Sequence, residues 1–143
     1  MASVKVSFRW QRHPGGRQTE ALRGLVVAAL ERVGVAAAEV GVLVCDDATI
    51  RTLNRHFRGK DQPTDVLSFP ANFVQPDGLL YLGDVAISLE TAARQASEGD
   101  VSLDRELRVL LLHGIVHLCG FDHESDEGEM DALEARLRRE LIR

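Results

Sequence analysis

The 143 residues predict an α+β domain: a single small mixed sheet of about four strands packed with about five helices, in the order βαβαββααα. Three observations carry this. The length suits one domain, residues 1–143, able to bury roughly 68% of its unfolded surface. An apolar fraction of 45% and a charged fraction of 27% are ordinary for a soluble globular chain and exclude disordered or collagen-like architectures. Segments of strand and helix periodicity alternate through the first half, and helical segments alone follow residue 88.

Val4, Val6, Phe8 and Trp10 alternate as in a strand over 3–10, and His13-Pro14-Gly15-Gly16 is a turn. Leu22, Leu25, Val26, Ala29, Leu30 and Val33 stand at helical spacing in 18–34, ended by Gly34. Residues 39–45 suit a buried strand. A helix over 48–58 carries Ile50, Leu53, Asn54 and Phe57 and closes at Gly59, before the polar loop 60–65. Val66 to Phe69 is a short strand stopped by Pro70. Gln75-Pro76-Asp77-Gly78 is a turn signal, and residues 79–87 form another strand, pairing antiparallel with the one at 66–69 across a long connection. Ser88 caps a helix to about Ala96, and Ser102 caps a longer one over 103–118. The second half of that helix is apolar nearly all round, so it is the central, buried one. The last helix, about 126–142, places Met130, Leu133, Leu137 and Leu141 on one stripe, and its acids Glu129, Asp131, Glu134 and Glu140 are read as solvent-facing. The βαβ units make part of the sheet parallel, with right-handed crossovers.

The net charge of −5 argues against a protein that coats nucleic acid, yet it conceals a split. Residues 1–60 hold 10 basic and 5 acidic side chains, residues 61–143 hold 7 and 17. Such asymmetry points to a localised basic surface. Cys45 and Cys119 are too few for a disulfide framework, and the simplest reading is a reducing, cytoplasmic compartment. No secretory signal is visible, and the apolar run Leu25 to Leu30 falls far short of the ~18 residues of a membrane span.

Three of the five histidines fall in 113–123, His-Gly-Ile-Val-His-Leu-Cys-Gly-Phe-Asp-His. His113 and His117, four apart, project from one face of the buried helix. Gly120 permits a turn that swings His123 back toward that face. Three imidazoles can hold one zinc ion and leave a position open for water or substrate, the mark of a catalytic site. Nickel, copper and cobalt also suit such ligands. Cys119 is read as packing in preference to a fourth ligand. Asp122 and Glu124 flank His123 as carboxylates that could accept from an imidazole or act as acid and base. The spacing is shared with metzincin peptidases, which carry a glutamate after the first histidine; here that position is Gly114, which cannot take a proton.

Residues 51–60 hold Arg51, Arg55, Arg58 and Lys60 with no acid. Arg58 and Lys60, beside Gly59 and the polar loop, are best placed to reach a phosphate. Thr64-Asp65 reads first as a turn or strand-entry device. Gly83 suggests a bulge or close backbone approach, and Asp84 either supports the metal ligands or lines the polar face of a strand.

Together these segments resemble the YbeY family of bacterial endoribonucleases. The family's HGxxHLxGxDH matches 113–123 at every fixed position, NxxxRxKDxPTDVLSFP matches Asn54 through Pro70, and its GD-containing strand matches Gly83-Asp84. Val116 and Phe121 stand where the family often has Leu and Tyr. The resemblance covers roughly the C-terminal two thirds. It implies zinc-dependent, single-strand-preferring cleavage of ribosomal RNA, in small-subunit 3′-end maturation and ribosome quality control. It also implies His113, His117 and His123 as zinc ligands, Arg58 as the phosphate-contacting residue, and the ribosome or small-subunit ribosomal proteins as partners, with no membrane. The proton acceptor stays open among Glu124, Asp122 and Asp84, with a ribose 2′-hydroxyl as an alternative nucleophile. Two other classes stay open: a metal hydrolase of peptides or amides, against which Gly114 counts, and a non-enzymatic ribosome-associated factor with a structural metal.

Overall fold

Alternation of apolar and polar side chains makes the strands, and serine and aspartate caps start the helices that join them. The structure, a computed structural model, describes residues 3–11, 16–120 and 128–142. Its elements are β1 (Ser3–Trp10), α1 (Gly16–Val33), β2 (Ala37–Cys45), α2 (Asp47–Arg58), β3 (Val66–Val74), β4 (Leu80–Ser88), α3 (Leu89–Glu98), α4 (Leu103–Leu118) and α5 (Glu129–Leu141). This is the expected α+β order, βαβαββααα, around one mixed sheet. Asp46, Ser88 and Ser102 accept from the backbone N–H of Thr49, Thr91 and Arg105 and so cap α2, α3 and α4. The fully buried Ser88 hydroxyl also donates to Asp47 Oδ1 at 2.5 Å, tying the starts of α2 and α3 together. Gly128 stands before α5 with φ 100°; residues 126 and 127, assigned to that helix from sequence, lie outside the described residues.

The strand order is β1-β2-β4-β3. β1 and β4 flank β2 in parallel, and β3 runs antiparallel to β4 on the sheet's edge. Two expectations need correction. The third strand does not stop at Pro70. It pairs Pro70 with Gly83, bulges at Ala71 and Asn72 (φ 55°), and resumes with Phe73 opposite Tyr81. Proline has no N–H to give a ladder, but at an edge that N–H is dispensable. Nor is the connection to β4 long: Gln75 N–H donates to Leu79 O at 2.9 Å, closing a tight turn around Gly78.

The two faces of the sheet are clothed differently. Val6, Val40, Val42, Val44, Val85 and Ile87 belong to the main core, which they share with α1, α4 and α5. α4 sits at its centre, with Leu107, Leu111, Leu112, Ile115 and Leu118 at 1% exposure or less. Each such side chain contributes ~1.5–3 kcal/mol by leaving water. On the opposite face Cys45, Leu67 and Ala86 meet Ile50 of α2 in a small second cluster. Beside α2 this face opens into a groove of about 740 Å³, lined by Arg9, Gly41, Leu43, Leu53, Phe69 and Asp84 among others. Among the described residues no helix is long and apolar enough to cross a membrane.

Candidate metal centre

The buried helix α4 brings His113 and His117 together as their four-residue spacing requires. Their Nε2 atoms lie 3.1 Å apart and their ring centroids 4.6 Å apart. Two ligands of a tetrahedral zinc ion, each about 2.0–2.1 Å from it, stand about 3.3 Å apart. The donor set and spacing therefore suit a small ion taking imidazole nitrogen. His123, the third expected ligand, and Asp122 and Glu124 beside it lie outside the described residues. Among the described residues no third side chain completes a ligand set.

The other nitrogen of His113 is held by α5. Its Nδ1 lies in hydrogen-bond contact with Glu134 Oε1 at 2.6 Å. That hydrogen bond is the main reason the imidazolium is favoured above its ordinary range; burial opposes it, and the negative charges of Glu134, Asp65 and Asp131 add to it. Glu134 corrects the reading of the last helix as solvent-facing, since its side chain is only 15% exposed. Its position carried a signal. Residues 130, 134, 137 and 141 share one helical stripe, and Met130 and Leu137 on it are fully buried. An acid inside an apolar stripe needs a partner. Glu140 keeps its surface place, accepting from Arg32 Nε at 3.1 Å.

Gly114 has a steric cause. A Cβ there would lie 2.7 Å from Val85 Cγ1 and 3.2 Å from Ser68 Oγ, inside the helix–sheet contact. Ser68 Oγ donates to the Gly114 carbonyl at 3.0 Å. α4 thus approaches the sheet so closely that a glutamate, as in the metzincins, has no room. Cys119 caps α4 and packs against the core, where burial pushes its thiol up to about 11.

Arg58 is the last residue of α2, exposed, and makes no side-chain hydrogen bond or ion pair to any described residue. α2 covers the sheet face opposite to α4, its Phe57 ring meeting Phe69 of the edge strand β3 with centroids 5.1 Å apart, while on the other face Ser68 of β3 bonds the carbonyl next to His113. Residues 59–65 join α2 to β3. Gly59 closes α2 at φ 72°, Asn54 Nδ2 donates to Gln62 O at 2.9 Å, and Asp61 pairs with Arg51 at 2.8 Å. Asp65 is a strand-entry device: its Oδ1 accepts from Val66 N–H at 2.8 Å. Lys60 is exposed on this loop. Asp84 does not join the histidines. It lies over Gly41 on the open face and accepts from Tyr81 Oη at 2.5 Å. Burial, with Asp84 beside it, pushes that phenol up to about 12.

A family model described as Endoribonuclease YbeY matches residues 11–142. A protein of that name from Bradyrhizobium diazoefficiens is 46% identical, the alignment covering 92% of this chain and 76% of the relative. Another from Koribacter versatilis is 48% identical over 88% of this chain and 79% of its own. The solution structure of TM1509 from Thermotoga maritima superposes with a TM-score of 0.66 at 25% identity, covering 97% of this chain and 89% of that one.

Proposed function

The chain belongs to the Endoribonuclease YbeY family, and from that premise we propose that it is a zinc-dependent endoribonuclease of the cytoplasm. Its substrate is single-stranded ribosomal RNA, in small-subunit 3′-end maturation and ribosome quality control, with the ribosome or small-subunit ribosomal proteins as partners. The observation that carries this reading is the pair of imidazole Nε2 atoms 3.1 Å apart on a buried helix. His113, His117 and His123 would hold the ion. When bound, zinc supplies Lewis acidity toward a phosphate oxygen and acidifies water.

The chain's own residues do the rest. Arg58, uncommitted to any described side chain, presents a guanidinium fork that fits the non-bridging oxygens of a phosphodiester. Developing negative charge there is stabilised by donors fixed in advance. If a ribose 2′-hydroxyl attacks, the products carry a cyclic phosphate and a deoxy sugar at the scissile position blocks cleavage. If water attacks, neither holds. The phosphate contacts make binding salt-dependent.

The test joins metal analysis to cleavage of single-stranded ribosomal RNA. Wild type is expected to carry zinc and to cut, and chelation to abolish cutting. His117→Ala should lose both. Arg58→Ala should keep fold and metal while cleavage falls by at least ~10-fold, the loss of a charge-assisted hydrogen bond worth ~1.4 kcal/mol or more. A metal-free wild type together with a His117→Ala variant that cuts normally would sink the proposal. An Arg58→Ala variant with full processing, beside a His113 variant that unfolds, would favour a non-enzymatic factor.

A further inference from the structure

We infer that Glu134 is a positioning residue that fixes the tautomer of His113 and so turns an unprotonated Nε2 toward the metal. The inference rests on the zinc-dependent reading above and adds a residue from a different helix to it. An ionised carboxylate only accepts hydrogen bonds. The 2.6 Å contact between Glu134 Oε1 and His113 Nδ1 therefore demands a proton on Nδ1. In the neutral ring the same proton leaves Nε2 with its lone pair, and Nε2 is the atom that faces His117 Nε2 at 3.1 Å. The contact is tertiary, spanning 21 positions between α4 and α5. Glu134 is held in the stripe between fully buried Met130 and Leu137, so its carboxylate has little freedom to leave the ring.

A carboxylate behind a ligating imidazole fixes the ring's orientation and raises its basicity as a ligand, and removing such a partner typically costs ~10–100-fold in metal affinity. The sequence of the histidine motif contains no trace of this partner. It comes from the helix that packs on α4 and closes the core.

The experiment uses the full chain as wild type, Glu134→Met and Glu134→Gln. Methionine suits an apolar stripe and removes the acceptor; glutamine keeps a carbonyl that can accept from Nδ1–H. Two readouts are taken: the His113 tautomer by nitrogen-15 NMR of metal-free protein, above the pH at which its imidazolium is lost, and zinc affinity by competition with a chromogenic chelator. Wild type should show Nδ1–H. Glu134→Met should lose that preference and bind zinc ~10–100-fold more weakly, and Glu134→Gln should recover the tautomer and most of the affinity. An Nε2–H tautomer in wild type overturns the inference even if Glu134→Met fails to fold. So does a folded Glu134→Met with unchanged zinc affinity. A wild type that binds no zinc overturns the metal reading itself, whatever the tautomer.

Discussion

One face of the sheet is buried beneath α1, α4 and α5; the other, among the described residues, carries α2 and leaves a groove of about 740 Å³. The same four strands therefore present chemistry in two ways. Among the described residues the covered face pairs polar groups closely, His113 with Glu134 and the Gly114 carbonyl with Ser68. On the open face polar groups are many and partly free, with Arg9 and Asp84 on the groove and Arg58 at the end of α2. The half-buried imidazoles of His113 and His117 stand on an otherwise buried stretch of α4, held in fixed positions. An exposed arginine costs nothing and argues for little by itself.

The two faces meet at the strand β4. Gly83 holds φ 141°, and a Cβ there would collide with the Phe69 carbonyl and lie 2.9 Å from Leu118 Cδ2 of α4. Gly83→Ala should destabilise by more than ~4 kcal/mol, the range of strained backbone sites combined with overpacking. Soluble yield and the urea midpoint read it, and a wild-type midpoint would show that the sheet tolerates a side chain at its seam. Next, Leu111→Ala on the covered face should cost ~2–5 kcal/mol. Phe57→Ala on the open face, where the ring is 60% exposed, should cost less than ~1 kcal/mol. Equal losses in paired urea melts would erase the distinction between the faces.

Gly114→Ala is a finer test. Alanine gains ~1 kcal/mol of helix propensity over glycine, but crowding against the buried Val85 costs ~1–3 kcal/mol. A net destabilisation of ~1 kcal/mol is expected; a stabilised variant would mean that α4 can retreat from the sheet. The smallest effect concerns pH. In the metal-free chain His113 is favoured as imidazolium by Glu134, so its folded pKa stands above the unfolded value of about 6.5. The stability it contributes is fully present below that value and is lost as pH rises through the folded pKa. Melting temperature of chelator-treated protein should therefore fall over that window in wild type and stay flatter in Glu134→Met. Parallel profiles would remove Glu134 from the account.

Most of the fold was legible because its signals are local. Ser88 and Ser102 sit one residue before their helices, Gly59 one residue after, and each acts within a turn of where it stands. The histidine pair was legible because two imidazoles four apart on an apolar helix share a face whatever surrounds them. Pro70 was misread because its tolerance depends on β3 lying at the edge, which is a property of strand order and not of the residues near it. Glu134 was misread for a similar reason: an acid on a helix is normally at the surface, and its partner lies 21 residues upstream. Gly114 could be excluded as a base from sequence, but the reason for a glycine there, the closeness of Val85, appears only once α4 is laid on the sheet.

The irregular course of β3 has a consequence for how these molecules meet one another. A nine-residue edge strand ending in the exposed Phe73 and Val74 is the kind of border that recruits a strand from a neighbouring molecule and seeds aggregation. Here Pro70 deletes one donor, and the bulge at Ala71 and Asn72 bends the strand just past it. The border is cut into two short stretches, neither long enough to template a continuous intermolecular ladder. The segment that departs most from a regular strand thus also works against edge-to-edge pairing at an apolar margin.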